Sequence, residues 1–80
     1  WKLTEAGVTA MDGDLPVNVS GGSLGMGHLL EATGLTRAYE AVLQLRGTAG
    51  KAQLDKAGTA VVQSWRGVPT TSAAVAVLAR

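Results

Sequence analysis

One histidine and the glycines before it are the residues of this 80-residue chain most suited to chemistry. Residues 21–27 read GGSLGMG, and His28 follows them directly. Glycine lets the backbone adopt positive φ angles and approach other atoms closely. A neutral imidazole can take a proton from a nucleophile or donate a hydrogen bond to a developing oxyanion, and histidine changes charge near neutral pH. We therefore predict a loop of tight geometry at residues 21–27, whereas His28, taken alone, is more often a solvated or satisfied loop histidine than a catalytic residue.

Other chemistries are poorly supported by the composition. The chain has no cysteine, which excludes a cysteine nucleophile, a thiolate metal site and a disulfide framework. A single histidine with dispersed acids offers no metal-ligand spacing, and GGSLGMG fits neither dinucleotide nor Walker loops. Ser20, Ser64 and Ser72 lack the glycine-flanked turn of a serine hydrolase. Seven basic and six acidic residues, scattered along the chain, argue against a nucleic-acid surface.

A long helix is the element that would position the histidine. Residues from His28, or soon after it, to Gly47 carry apolar side chains at helical spacing, and Gly47 provides a C-terminal stop. The apolar positions are Leu35, Ala38, Tyr39, Val42 and Leu45. Gly34 lies inside this run, where glycine costs about 1 kcal/mol relative to alanine. We predict that Gly34 marks close packing against a neighbouring element.

The remaining segments predict a small mixed fold. Residues 1–14 would hold one helical turn before a loop, and residues 15–19 a short edge strand or an extended segment, because Pro16 limits pairing. Residues 48–58 read as a connection, 59–65 as a strand, 66–69 as a turn and 71–78 as a second strand. The last strand is apolar on both faces, so it should be covered on both sides. One helix cannot supply both layers, and the missing layer must come from elsewhere.

Three short motifs, in order, resemble a signature of the thiolase superfamily. They are NVSGG at residues 18–22, GH at 27–28 and ATGL at 32–35, which resemble the family's N-x-x-G-G and G-H-P-x-G-A-T-G. The similarity continues into LQLRGTAG at residues 43–50, which looks like acyl-CoA thiolases and lipid-transfer thiolases of the sterol-carrier type. The resemblance implies that residues 1–80 are a partial thiolase-like C-terminal domain, with the strongest match over 15–78.

The resemblance implies an α/β fold, the C-terminal part of a five-layered αβαβα arrangement. This part would contain the glycine-rich loop, one long helix and a terminal two-stranded hairpin. The resemblance also implies an acyl-CoA substrate, carbon–carbon bond formation or thiolytic cleavage, and a catalytic role for His28. Gly27, Ser23, Gly67 and Arg66 are the expected substrate-binding residues, with a backbone N–H near Arg66 or Gly67 completing an anion hole. No metal and no cofactor is expected beyond the coenzyme A thioester, which is the substrate.

The sequence departs from the thiolase pattern in two places. Leu29 and Glu31 stand where proline and glycine are usual. Glu31 would either pair with His28 across one helical turn or occupy the helix N-terminus, where negative charge is favoured. Ser64 or Trp65, depending on a one-residue gap, takes the place of the cysteine that serves the family as acid and base. Neither side chain can replace a thiol in proton transfer.

These observations lead to a fragment hypothesis with two alternatives. The chain would be a piece of a thiolase-like acyl-CoA acyltransferase of lipid metabolism, inactive alone and completed by the rest of the fold or by a second copy in a dimer or larger homo-oligomer. The alternatives are a non-catalytic module that binds acyl-CoA or a partner, and a cysteine-independent lyase with a small accessory protein. The longest apolar stretch is too short to cross a membrane, and we expect a cytoplasmic protein.

Overall fold

A long helix packed on a two-stranded hairpin dominates the fold, as predicted. The computed structural model describes residues 1–66 and 72–80. Its elements are α1 (Lys2–Glu5), α2 (Gly22–Met26), α3 (Thr33–Arg46), β1 (Thr59–Arg66) and β2 (Ser72–Ala79). Short 3₁₀ turns lie at Leu30–Ala32 and Gly50–Ala52. The α/β class, the single long helix and the terminal hairpin are confirmed.

The hairpin is antiparallel, and its register assigns each residue to a face. Thr59 pairs with Ala79, and Arg66 pairs with Ser72 at the other end. Directly paired residues point to the same side of a sheet, and successive residues alternate. One face therefore carries Ala60, Val62 and Ser64 of β1, whereas the outer face carries Val61 and Trp65 of β1 with Val75 and Val77 of β2. The predicted turn at residues 66–69 lies, beyond Arg66, outside the described residues.

Helix α3 begins later than His28 and ends where the sequence predicted. A 3₁₀ turn precedes it, and the Thr33 hydroxyl accepts a hydrogen bond from the Leu29 N–H at 3.0 Å, which satisfies a backbone donor at the helix start. At the other end Gly47 adopts the left-handed conformation (φ 72°). Its N–H and that of Thr48 bond back to the carbonyls of Gln44 and Leu43. Glycine favours this termination because it has no Cβ.

The predicted close packing at Gly34 is confirmed. A Cβ at this position would lie 3.0 Å from the Ser64 Oγ and 3.2 Å from the Ser64 Cβ. Helix α3 therefore approaches β1 more closely than an alanine would allow. This contact covers the inner face of β1. Along the strand, half-buried residues of the inner face alternate with exposed residues of the outer face.

Burial is sparse, and part of the predicted apolar stripe is exposed. Leu45 is the one buried apolar core residue in the described part of the chain, at 6% exposure. Leu35 and Tyr39, which the sequence placed on the packing face, lie open to solvent, because α3 contacts the hairpin along a narrower surface than the stripe. The chain exposes 6346 Å², whereas a compact monomer of its 8.1 kDa mass exposes about 4,500 Å². The fold leaves apolar surface for another layer.

Two local expectations were wrong in part, one for the glycine run and one for the edge strand that was one of two alternatives at residues 15–19. The glycine run is not wholly a loop, because residues 22–26 form the single-turn helix α2. Residues 15–19 form no strand; the Leu15 and Val17 N–H groups instead bond to the carbonyls of Val8 and Thr9. The helical turn expected within residues 1–14 is α1.

The connection at residues 48–58 is held by two glutamine side chains. The Gln53 amide bonds to the N–H of Ala49 and to the carbonyls of Gln44 and Leu54, and the Gln44 amide bonds to Ala52 and Leu54. This network gives a defined path to a segment with little burial. Over the residues that the structure describes, no helix has the length and apolar character needed to cross a bilayer.

Candidate functional site

Glycine backbone angles shape the segment that leads to His28. Gly21 and Gly22 have φ angles of 91° and 57°, and α2 begins at Gly22. Gly27, at the end of α2, has φ 94° and ψ 165°. This combination belongs to the region that almost only glycine occupies. Space is not the constraint at Gly27, since a Cβ there would meet no atom within 4 Å. The backbone conformation itself requires glycine immediately before the histidine.

The imidazole of His28 is exposed and has one nitrogen occupied. Its Nδ1 accepts a hydrogen bond from the Leu30 N–H at 2.9 Å, and the Thr33 Oγ1 lies 3.5 Å from the same nitrogen. A neutral imidazole has one donor and one acceptor nitrogen. An acceptor Nδ1 leaves the hydrogen on Nε2, which can donate to a ligand.

Residues 29–31, which include Leu29 and Glu31, two of the departures from the thiolase pattern, lie directly after the histidine. Leu30 has a positive φ of 51°, an unfavourable conformation for a residue with a Cβ, and its N–H is the one that reaches His28. Glu31 is exposed in the 3₁₀ turn that precedes α3, and among the described residues it forms no ion pair with His28. Of its two expected roles, the position favours the charge near the helix N-terminus.

Two polar side chains of α3 contact the glycine segment. Arg37 donates to the Ser23 Oγ at 3.2 Å and, through its other terminal nitrogen, to the Gln63 carbonyl of β1 at 2.8 Å. Glu40, one turn further along, accepts a hydrogen bond from the Ser20 Oγ at 2.9 Å through Oε2. These contacts connect the hairpin and the helix to Ser20, just before the glycine segment, and to Ser23 within it.

A small cavity of about 20 Å³ lies between α2 and α3. Its lining includes Ser23, Gly27, Thr33, Arg37 and Glu40. In the described part of the molecule, the Glu40 Oε1 is buried without a hydrogen-bond partner. Across those same residues no group of histidine, cysteine, aspartate and glutamate is arranged to hold a metal ion.

Comparison with known proteins decides the family. All 80 residues match the family model described as thiolase C-terminal domain-like. The chain belongs to this family.

The relatives of this thiolase C-terminal domain are much longer proteins. An acetyl-CoA acetyltransferase of Methanothermobacter thermautotrophicus is 47% identical over 72 residues, which cover 90% of this chain and 19% of that protein. Sterol carrier protein 2 of Bos taurus is 43% identical over 60 residues, 75% of this chain and 11% of that protein. The human sterol carrier protein 2 is 42% identical over 59 residues, 74% and 11% respectively. The chain thus spans a fifth or less of these relatives. No solved structure matches it.

The structure of the thiolase C-terminal domain brings together some of the predicted site residues. Ser23, Gly27 and His28 lie in one short segment, with Ser23 and Gly27 lining the same cavity. Arg66 is exposed at the end of β1, and Gly67 lies outside the described residues. No observation tests the roles predicted for these residues.

The two residues at the cysteine position of the pattern point in opposite directions. Ser64 lies on the inner face of β1 and packs on Gly34, whereas Trp65 lies on the outer face and is exposed. The thiolase C-terminal domain therefore uses Ser64 to pack the helix.

Sequence reasoning missed Ser20, Thr33, Arg37 and Glu40. Arg37 and Glu40 are spaced three residues apart, so they share one helix side, and they interrupt the apolar pattern of α3. The two charges could have indicated polar partners nearby, because charged side chains on a packed helix usually have partners. Their partners were not readable, since they lie 14 and 20 residues away in a segment held by positive φ angles.

Proposed function

We propose that this domain supplies the histidine loop of a thiolase-like acyl-CoA acyltransferase that forms or thiolytically cleaves a carbon–carbon bond. Its relationship to an acetyl-CoA acetyltransferase supports this proposal. The nucleophile that carries the acyl group must lie outside these residues, since they include no cysteine. The chain alone is therefore proposed to be inactive.

His28 is proposed to stabilise the oxyanion of the thioester. The observation that carries this role is the hydrogen bond from the Leu30 N–H to Nδ1, which favours a hydrogen on Nε2. A donor fixed before the reaction stabilises charge that develops on a thioester oxygen. The same bond opposes a role as resting base, because a base needs an unprotonated nitrogen directed at the nucleophile.

Acyl-CoA is the proposed substrate, with no additional cofactor. Gly27 would offer its backbone without a side chain in the way, and the Ser23 hydroxyl can donate its own hydrogen while it accepts from Arg37. A backbone N–H near Arg66, the last residue of β1, or near Gly67 is proposed to complete an anion hole. These assignments rest on the thiolase resemblance.

The outer face of the hairpin is proposed to be covered by the rest of a thiolase fold. Residues 1–80 would then be a partial domain of a cytoplasmic protein. A second copy of the chain is the alternative cover.

A chimera tests the function directly. In it, this chain replaces the 72 aligned residues of the archaeal acetyl-CoA acetyltransferase. We expect cooperative unfolding and transfer of the acetyl group from acetyl-CoA to the chimera's nucleophilic cysteine, with release of coenzyme A as the leaving thiol. A folded chimera that binds acetyl-CoA but transfers nothing would overturn the acyltransferase proposal, and circular dichroism with a thermal melt establishes folding independently of activity.

Two His28 variants of the chimera separate the donor from the base. Removing an oxyanion donor lowers kcat by roughly 10²–10³-fold, which we expect for His28→Ala. His28→Gln keeps an N–H near the position of Nε2 but cannot accept a proton at neutral pH. We expect it to retain at least about a tenth of the activity, because a donor needs only its hydrogen. Equal losses in both variants would contradict the donor role and favour the base.

A non-catalytic module that binds acyl-CoA or a partner is the second candidate. The observations that favour it are the residues that replace the usual thiolase pattern, namely Leu29, Glu31, Ser64 and Trp65. This candidate predicts acetyl-CoA binding in the chimera with no turnover. A cysteine-independent lyase, working with a small accessory protein, predicts instead that turnover of a β-hydroxyacyl-CoA survives replacement of the chimera's nucleophilic cysteine.

A further inference from the structure

The contacts between α3 and the glycine segment form two matched pairs. Glu40 holds Ser20, which lies just before the glycine run, and Arg37 holds Ser23, which lies inside α2. Arg37 also bonds to the Gln63 carbonyl, so its guanidinium is fixed to β1 as well. The segment is thus fastened at two points to the rigid part of the domain.

Glu40 is arranged unlike a residue selected for stability alone. Its Oε1 is buried without a hydrogen-bond partner among the described residues, and Oε2 has one hydroxyl donor. Taking a carboxylate out of water with so few donors opposes folding. A buried acceptor without a partner calls for an explanation other than stability, and a role in the adjacent site is one such explanation.

Hydrogen bonds inside α2 transmit the fastening to the histidine. The Gly25 N–H bonds to the Gly21 carbonyl, and the Gly27 N–H bonds to the Ser23 carbonyl, each at 3.0 Å. Gly27 then leads directly to His28. On the far side, the Leu29 N–H is held by Thr33. The exposed imidazole therefore lies between two fixed backbone segments, although nothing buries it.

We infer that Glu40 and Arg37 are positioning residues for His28, acting through Ser20 and Ser23. The inference rests on the proposed oxyanion role of His28 and adds the side chains that hold the donor in place. An imidazole without burial depends on its backbone for orientation. Misplacement of a catalytic group by about 1 Å can lower a rate by as much as 10²-fold, which makes such fastening consequential.

The test uses the single histidine of the chain as a spectroscopic probe. The ¹⁵N chemical shifts of its two ring nitrogens report which one carries the hydrogen, without assignment ambiguity. In the wild-type 80-residue chain we expect the neutral imidazole to carry its hydrogen on Nε2 and to leave Nδ1 unprotonated. Ser20→Ala and Glu40→Ala are expected to move both shifts towards the average of the two tautomers, because the Leu30 N–H loses its alignment.

Conservative and remote variants provide the controls. Glu40→Gln retains an oxygen that accepts from Ser20, so its ring shifts should stay those of wild type. Glu5→Ala removes an exposed carboxylate from α1, away from these contacts, and should also leave them unchanged. The double variant of Ser20 and Glu40 should change the shifts no more than either single variant, since both remove the same bond.

Kinetics in the chimera provide the second readout. They replace the ring shifts if the amide spectrum of the isolated chain shows that it is not folded. Glu40→Ala should lower kcat roughly 10-fold to 100-fold with KM within about threefold, whereas Glu40→Gln should stay within about threefold in both. A lower melting temperature with unchanged ring shifts and unchanged kcat would overturn the inference, since Glu40 would then be structural only.

The two proposals can fail separately. If the ring shifts respond to Ser20 and Glu40 variants but the chimera has no turnover, the positioning of the imidazole stands and the acyltransferase proposal falls. If the chimera is active and His28→Ala abolishes turnover while Glu40→Ala changes neither kcat nor the ring shifts, the positioning inference falls alone.

Discussion

The two faces of the hairpin are both apolar, but α3 covers one of them and the other is exposed to solvent. On the inner face, Ser64 packs on Gly34 of α3 so closely that an added Cβ would lie within 3.2 Å of it. On the outer face, Val61 and Val77 are each 68% exposed, and Val75 and Trp65 are exposed beside them. A strand with apolar side chains on both faces is typical of a sheet covered on both sides. The difference indicates that this chain contains one of the two layers.

The outer face provides the largest expected effect. In the chimera, Val77→Asp should lower the free energy of unfolding by about 3–5 kcal/mol, because a covered carboxylate would have no partner. In the isolated chain the same change should stay within about 0.5 kcal/mol, since Val77 is already exposed. Urea unfolding of both proteins measures the two values. A small effect in both would show that the face stays uncovered in the chimera and would break the comparison.

The inner face should be sensitive to volume rather than to charge. Gly34→Val should lower the free energy of unfolding by about 3 kcal/mol, because its branched side chain would collide with Ser64. Adding Ser64→Gly should recover at least about 1 kcal/mol of this loss, since it removes the atoms in the way. Urea unfolding of the two single variants and the double variant gives the coupling. Additive losses would show that the close approach does not depend on this contact.

The histidine segment differs from both hairpin faces, because backbone angles define it. Gly27→Ala should cost about 1–3 kcal/mol, since alanine is strongly disfavoured at φ 94° and ψ 165°. Gly58→Ala is the matched control. Gly58 has an ordinary φ and no atom within 4 Å of an added Cβ, so this change should be neutral or stabilise by up to about 1 kcal/mol. Equal melting temperatures for the two variants would contradict the strain argument.

Sequence alone predicted the elements well and their surroundings poorly. Helix α3, its end at Gly47, the close contact at Gly34 and both strands follow from local spacing and glycine chemistry, which act over a few residues. The exposure of Leu35 and Tyr39 could not be predicted, because periodicity gives the apolar side of a helix but not how much of it a partner covers.

The candidate site divides in the same way. His28 and Gly27 were singled out by residue type and motif, and the structure places them in one segment with Ser23. Helix α2 was missed because glycine-rich sequences have low helix propensity, and here tertiary contacts override it. Arg37 contacts Ser23 inside α2, and Glu40 contacts Ser20 just before it; no local pattern specifies either partner.

The smallest expected change in the free energy of unfolding is at Leu30, two residues after the histidine. It is a gain, whereas the changes at Val77, Gly34 and Gly27 are losses. Leu30 holds a left-handed backbone (φ 51°), which costs a residue with a Cβ roughly 1–2 kcal/mol, and its side chain is mostly exposed. Leu30→Gly should relieve that strain against an entropic loss of roughly 0.5–1 kcal/mol, for a net gain of at most about 1.5 kcal/mol.

Leu29→Gly is the neighbouring control, because Leu29 has an ordinary φ of −94°. It loses chain entropy and gains nothing, so it should destabilise by roughly 0.5–1 kcal/mol. The melting temperature should therefore rise in Leu30→Gly and fall in Leu29→Gly. Equal destabilisation by both would mean that the side chain of Leu30, rather than its backbone, contributes to stability. That result would weaken the view that backbone geometry holds the histidine segment.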